Sequence, residues 1–133
     1  MSAPLSRREE KALASNLDHE NLDVYRVSME FIDYVAPILK QLAPEFAYMA
    51  DQLRRAASSI SQNVAEGTGR VGHSDKARFY GYAKGSAAEC GAALDILLKF
   101  GCITTSEHLT GKVFAKRLVS MLVKLAQSAD ERR

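Results

Sequence analysis

The sequence has 133 residues, of which 47% are hydrophobic and 26% are charged, and its net charge is +2. This length suits one domain with its own core, and the composition excludes a wholly disordered chain. The small net charge excludes an extreme polycation but leaves room for a local basic patch. Two cysteines do not make a disulfide scaffold, and no apolar run approaches the roughly 18 residues of a membrane span. We therefore expect a cytoplasmic protein with no membrane partner.

A polar N-terminal extension, residues 1–21, precedes the main apolar pattern. Within it we expect a short helix over Leu5–Ser15, because Ser6 and Glu9 have the spacing of a capping box. Such a short polar helix is marginal on its own, so we expect it to fray or to pack on a neighbour.

Four longer helices follow, because apolar residues recur with helical spacing and strand-like alternation is absent. The first is expected over about 22–42, with a bend caused by Pro37, and the second from 46 or 51 to 66. The third is expected from Ser74 or Asp75, as far as Phe100, and a second capping box opens the fourth at Thr104 and Glu107. Gly67 is expected to end the second helix, since glycine tolerates the left-handed cap conformation, and Gly101 is expected to end the third.

Four amphipathic helices with short connections predict an all-α fold, an antiparallel up-down four-helix bundle with a short extra N-terminal helix. The bundle is expected over residues 22–128, with a polar tail over 129–133. If the second and third helices form a hairpin that turns near residue 72, their facing positions can be paired. The expected pairs are Arg55 with Glu89, Glu66 with Arg78, and Ser59 with Gly85.

Several motifs have a structural interpretation that outweighs the chemical one. Gly67, Gly69 and Gly72 match G-x-G-x-x-G, but a predicted helix precedes them where a dinucleotide-binding loop needs a strand. Cys90 lies on an apolar stripe and is expected in the core, while Cys102 follows Gly101 and is expected to be more exposed. The three histidines are His19, His73 and His108. None has a second ligand at helical spacing, so we predict no metal site and no cofactor.

Polar residues recur along one face of the second and third helices. An enzyme could use Arg55, Glu66 and Glu89 only if they converged in one pocket, so a structural layer that sets the helix register is favoured and no catalytic residue is predicted. The predicted layer consists of Arg55, Ser59, Asn63, Glu66, Ser86 and Glu89.

Basic residues cluster around the hairpin between the second and third helices. Phosphate contacts require such cations, although an ordinary solvated surface has the same composition when acids are interspersed. The candidates for nucleic-acid contacts are Arg54, Arg70, Lys76, Arg78 and Lys84.

A stripe of small residues runs along the third helix, opposite its apolar face. Glycine inside a helix costs about 0.5–1 kcal/mol relative to alanine, so a close contact with a second copy of the chain would explain its presence. The alternatives are a generic alanine-rich helix and a contact within the chain. The stripe consists of Gly81, Gly85, Ala88 and Ala92.

Two blocks carry a family resemblance that covers about residues 22–126. The first block is residues 51–60 with 63–67, and the second is residues 79–80 with 83–89. Both resemble the motifs of the four-helix-bundle family encoded by 23S rRNA intervening sequences. Residues 22–25 resemble its usual opening. Gly81 and Tyr82 depart from the pattern, because an arginine and an aliphatic residue are frequent there.

The resemblance implies a homopentamer around a central axis and no established enzymatic activity. It also implies kinship with the accessory protein of diversity-generating retroelements, which binds nucleic acid and a reverse transcriptase through a basic surface. The leading hypothesis is therefore a non-enzymatic homo-oligomer that binds RNA or DNA. The alternative is a scaffold that binds a partner protein and has no nucleic-acid role.

Overall fold

Five α-helices account for most of residues 3–14 and 17–131, which are the residues that the computed structural model describes. No strand occurs in these residues, so the predicted all-α class is confirmed. Predicted features at residues 1–2, 15–16 and 132–133 lie outside the described residues. The helices are α1 (Arg7–Ala14), α2 (Asp23–Gln41), α3 (Ala47–Thr68), α4 (His73–Lys99) and α5 (Thr105–Glu131), with 3₁₀ turns at Asp18–Asn21 and Pro44–Phe46.

Both predicted capping boxes are confirmed. Before α1, the Ser6 amide donates to the Glu9 carboxylate at 2.8 Å and the Glu9 amide donates to the Ser6 hydroxyl at 3.1 Å. Before α5, the Thr104 amide donates to Glu107 at 2.9 Å and the Glu107 amide donates to Thr104 Oγ1 at 3.0 Å. Each pair satisfies amides that a helix start leaves without an intrahelical partner.

The end of α4 is also as predicted. Gly101 has φ +75°, a left-handed conformation that a residue with a Cβ adopts only at a cost. The amide of Gly101 donates to the Leu98 carbonyl and that of Cys102 donates to the Leu97 carbonyl, both at 2.9 Å. These two bonds form a Schellman motif, which satisfies carbonyls at the helix end.

The hairpin between α3 and α4 differs from the prediction in two details. Gly67 does not end α3, because the helix continues to Thr68. The φ angle of Gly67 is not positive. A Cβ at Gly67 would lie 2.8 Å from Cε1 of Tyr80, so glycine is needed there because α4 approaches closely. The N-cap of α4 is Gly72 rather than Ser74, because the helix begins at His73.

The core is built from the predicted apolar stripes, with one exchange on α4. Tyr80 is buried and its neighbour Phe79 is only partly buried. The sequence predicts the reverse, because Phe79 lies at helical spacing from Ala83 on the same apolar stripe as Cys90. The Tyr80 ring fits here because Gly67 has no side chain, and its hydroxyl lies 3.2 Å from Thr68 Oγ1. Fully enclosed core residues include Phe31, Leu53, Ile60, Val64, Cys90, Leu94, Leu118 and Leu122.

The four long helices pack in a ring of neighbours. α2 contacts α3 and α5, and α4 contacts the same two helices from the other side. The hydroxyls of Ser28 and Ser61 meet at 2.8 Å between α2 and α3, and the rings of Phe31 and Phe114 meet at 5.6 Å between α2 and α5. Helix α1 contributes no buried residue. In the described residues, no helix combines the length and apolarity needed to span a bilayer.

Candidate nucleic-acid interface

Hydroxyl and amide groups from the predicted polar layer meet where α3 faces α4. Ser86 donates to Ser59 Oγ at 2.9 Å, so the observed register is shifted by one residue from the predicted pairing of Ser59 with Gly85. Asn63 Nδ2 lies 2.9 Å from both the carbonyl and the hydroxyl oxygen of Ser59. These bonds satisfy polar groups that the packed helices partly remove from water.

The charged residues of the layer are arranged differently from the prediction. Arg55 forms its ion pair with Asp51 of its own helix at 2.9 Å, not with Glu89. Glu66 likewise pairs with Arg70 at 2.5 Å rather than with Arg78. The reason is that partners one turn away along the chain are already in reach, whereas Arg55 and Glu89 are both exposed and stay apart. A shallow groove between α3 and α4 is lined by Gln52, Arg55, Ala56, Ser59, Ser86 and Glu89.

A group of cationic and aromatic side chains lies at the end of the bundle where α3 turns into α4. We call Arg70, Arg78, Phe79 and Tyr82 the hairpin cluster. The guanidinium carbons of Arg70 and Arg78 lie 4.6 and 5.0 Å from the centre of the Phe79 ring. The Tyr82 ring meets Phe79 edge-on, with centres 5.5 Å apart. Cation–π contact of this kind holds both arginines against one ring.

Each arginine of the hairpin cluster also has a carboxylate partner. Arg70 pairs with Glu66, and Arg78 pairs with Asp75 at 2.9 Å. The side chains remain 39% and 52% exposed, so water screens both pairs and a guanidinium with five donors can still bind a phosphate.

The other three predicted contacts lie apart from the cluster or have another role. Lys76 donates to the Thr68 carbonyl at 2.7 Å, so it caps the end of α3. Arg54 lies about 20 Å along α3 from Thr68 by helical rise, 3.7 Å from Asp51. Lys84 is exposed on α4 and forms no ion pair with any residue in the described part of the chain. The structure therefore brings together only Arg70, Lys76 and Arg78 of the five.

The small residues of α4 form an open outer surface. Gly81, Gly85, Ala88 and Ala92 are all exposed, and a Cβ added at either glycine would meet nothing within 4 Å. The residues that the structure describes therefore do not make the close contact that the stripe predicts. Beside the stripe, a shallow groove between α4 and α5 continues the surface.

Cysteine and histidine chemistry is confined to packing and surface contacts. Both cysteines are free, and burial, together with the nearby charge of Glu89, raises the pKa of the Cys90 thiol to about 12. His19 meets the Tyr25 ring at 4.6 Å, and His108 Nε2 lies 2.7 Å from Asp95. The described residues contain no group of three side chains suited to a metal ion.

Comparison with protein families gives a match over residues 20–124, to the family described as 23S rRNA-intervening sequence protein. The chain belongs to this family. The predicted resemblance is thereby confirmed. Comparison with curated proteins finds no match.

The match to the 23S rRNA-intervening sequence protein family covers α2, α3, α4 and most of α5. It therefore includes the whole hairpin cluster and the small-residue face of α4, and it leaves α1 outside. Phe79 and Tyr82 lie outside the predicted nucleic-acid contacts. Their signal in the sequence is an aromatic pair at i and i+3 directly after Arg78, which places the two rings side by side on one helix.

Proposed function

We propose that this member of the 23S rRNA-intervening sequence protein family is a non-enzymatic, homo-oligomeric protein that binds RNA or DNA. In this proposal its four long helices form an antiparallel up-down four-helix bundle. The contact between Ser59 and Ser86 and the contact between Gly67 and Tyr80 support that topology, because positions that rise along α3 meet positions that fall along α4. The free thiols of Cys90 and Cys102 are in keeping with a reducing cytoplasm.

The nucleic-acid role is supported chiefly by one observation, the two exposed guanidiniums that Phe79 holds at the hairpin end. A fixed arginine loses less side-chain entropy when it binds a phosphate than a free lysine does. Lys84 adds an exposed charge farther along α4. Phosphate neutralisation by these groups would release counterions, so the affinity should fall as salt rises.

The homo-oligomeric role is supported by the outer face of α4. A Cβ at Gly81 or Gly85 would meet nothing within 4 Å among the described residues, yet each glycine carries a helix-propensity cost of about 1 kcal/mol relative to alanine. A second copy packed against this face would offset that cost, since small residues let helix backbones approach closely. Five copies is the number that the family resemblance implies.

A non-enzymatic role is supported by the positions of the three residues that an active site would need. Glu66 lies eleven positions after Arg55 on α3, which is about 16 Å of helical rise, and it pairs with Arg70 instead. The groove that contains Arg55 and Glu89 is shallow and open. Neither arrangement encloses a substrate, as most active sites do.

Binding across a salt series tests the nucleic-acid role. We expect log K for a short DNA strand to fall linearly with log salt, and the double variant Arg70→Gln/Arg78→Gln to reduce the slope by about 1.4 on a single strand. The matched control is Arg117→Gln/Lys124→Gln, which removes the same charge from the exposed side of α5. Absence of binding by the unaltered protein at low salt, to the DNA strand and to an RNA strand of the same length, would contradict the proposal. A loss confined to the control would move the interface to α5.

A scaffold for a partner protein is the second candidate. It is favoured by the pairing of Arg70 with Glu66 and of Arg78 with Asp75, which cancels much of the positive charge at the hairpin. A complex with a protein partner that survives nuclease treatment and high salt would support it.

A further inference from the structure

The hairpin cluster stands on a rigid base. Gly67 lets the Tyr80 ring lie directly against α3, and the Tyr80 hydroxyl lies 3.2 Å from Thr68 Oγ1. Lys76 donates to the carbonyls of Thr68 and Gly67 at 2.7 and 3.4 Å. These contacts fix the first turns of α4 against the end of α3, so the side chains they carry are held in place before any ligand arrives.

The cluster combines two kinds of surface within a few ångströms. Phe79 holds a guanidinium at 4.6 Å and another at 5.0 Å, so its ring is largely occupied by the arginines. Tyr82 meets Phe79 at 89°, edge against ring, and is 51% exposed, so part of its own surface is free. An exposed aromatic ring beside fixed cations suits a ligand that has both flat rings and phosphates.

Charge alone accounts poorly for binding at this end of the bundle. Glu66 and Asp75 compensate Arg70 and Arg78, so the local excess of positive charge is small. Stacking of a base on an aromatic side chain supplies about 1–3 kcal/mol per base and does not depend on net charge. In a duplex the faces of the bases are already stacked on one another, which leaves only the phosphates for the protein.

We propose that the hairpin cluster binds single-stranded nucleic acid, with a base stacked on Tyr82 and the neighbouring phosphates bound by Arg70 and Arg78. This inference rests on the proposed nucleic-acid function and assigns it a strand type and a contact. Preference for a particular base is not expected, because every base has a flat face to stack.

Three DNA probes of equal length test the inference by fluorescence anisotropy: oligothymidylate, its abasic counterpart, and a duplex. The unaltered protein should bind oligothymidylate at least about 5-fold tighter than the abasic strand, the lower limit for one stacked base. Tyr82→Leu should remove that difference and leave abasic binding unchanged, and Tyr82→Phe should keep it. Tyr48→Leu is the matched control, since Tyr48 is 57% exposed at the start of α3, away from the hairpin.

The outcomes separate this inference from the function on which it rests. Equal binding of oligothymidylate and the abasic strand, or equal losses for Tyr82→Leu and Tyr48→Leu, would overturn the stacking contact and leave salt-dependent binding intact. Tighter binding of the duplex than of the single strand would overturn the strand preference. Failure of all three DNA probes and of an oligouridylate strand of the same length to bind would overturn both proposals. The Tyr82 variants should fold, because that side chain is half exposed.

Discussion

Asp95 of α4 contacts two side chains of α5, those of His108 and Lys112. Its Oδ1 lies 2.7 Å from His108 Nε2 and 2.9 Å from Lys112 Nζ. The hydrogen bond from His108, followed by the one from Lys112, lowers the pKa of Asp95 below its ordinary value of 3.8. None of these contacts is predictable from spacing, because the residues are 13 and 17 positions apart and belong to different helices.

Replacing Asp95 with Asn tests this contact at the scale of one residue. A carboxyl whose pKa is lowered by folding stabilises the folded state fully when the pH is above the ordinary pKa of that carboxyl. This stabilisation is lost as the pH falls through the folded-state pKa. Because the Asp95 side chain is 51% exposed, we expect Asp95→Asn to lower the free energy of unfolding at pH 7 by less than about 1 kcal/mol. Urea denaturation should show the difference shrink as the pH falls below the ordinary pKa of 3.8. Asp33→Asn on the exposed surface of α2 is the control, and a difference that stays constant as the pH falls below 3.8 would contradict the ion-pair origin.

Three helix ends were predictable from a local signal. The Ser6–Glu9 and Thr104–Glu107 pairs and the left-handed Gly101 involve groups a few residues apart, so the sequence contains all the partners. Gly67 is different, because its role depends on a ring from the next helix. A glycine near a helix end predicts a stop on local grounds, and only the packing of Tyr80 shows that it allows close approach instead.

Replacing Gly67 of α3 and replacing Gly69 at its C-cap are expected to have different effects on stability. A Cβ at Gly67 would lie 2.8 Å from Tyr80 Cε1 and 3.1 Å from Phe79 Cβ, and the latter moves only with the α4 backbone. We expect Gly67→Ala to lower the free energy of unfolding by about 1–3 kcal/mol, as overpacking does. Gly69→Ala is the matched control, because its Cβ would meet nothing closer than 3.6 Å and its φ is −78°. It should be neutral or slightly stabilising. Equal effects of the two substitutions in urea denaturation would contradict the close approach.

One face of α4 is left uncovered by the described residues. Gly81, Gly85, Ala88 and Ala92 on this face are exposed, and a Cβ at either glycine would meet nothing within 4 Å. The opposite face of α4 is buried against α3 and α5. A helix that is buried on one side and carries small residues on the other can be approached closely by an additional helix.

Light scattering of the unaltered protein and of Gly85→Leu tests assembly. We expect the unaltered protein at micromolar concentration to have a mass several times 14.6 kDa, and Gly85→Leu to shift it toward the single chain. The variant should still fold, since a Cβ there meets nothing within 4 Å and leucine favours helix over glycine by about 0.8 kcal/mol. Glu30→Leu places a leucine on the exposed side of α2 and should leave the mass unchanged. A single 14.6 kDa species for the unaltered protein would contradict assembly.

The sequence by itself determined the helices, most of their ends and the residues of the core, because helical periodicity and capping depend on neighbours within a few positions. It also carried the family, through polar residues such as Ser59 and Ser86 that interrupt apolar stripes. Only the tertiary structure decided the partners. In the folded chain Arg55 forms an ion pair with Asp51, and Glu66 forms one with Arg70. Packing also places Tyr80 rather than Phe79 in the core and brings the hairpin cluster together. The physical reason is that a charged or aromatic side chain can reach several partners at similar cost, and the distance between packed helices selects among them.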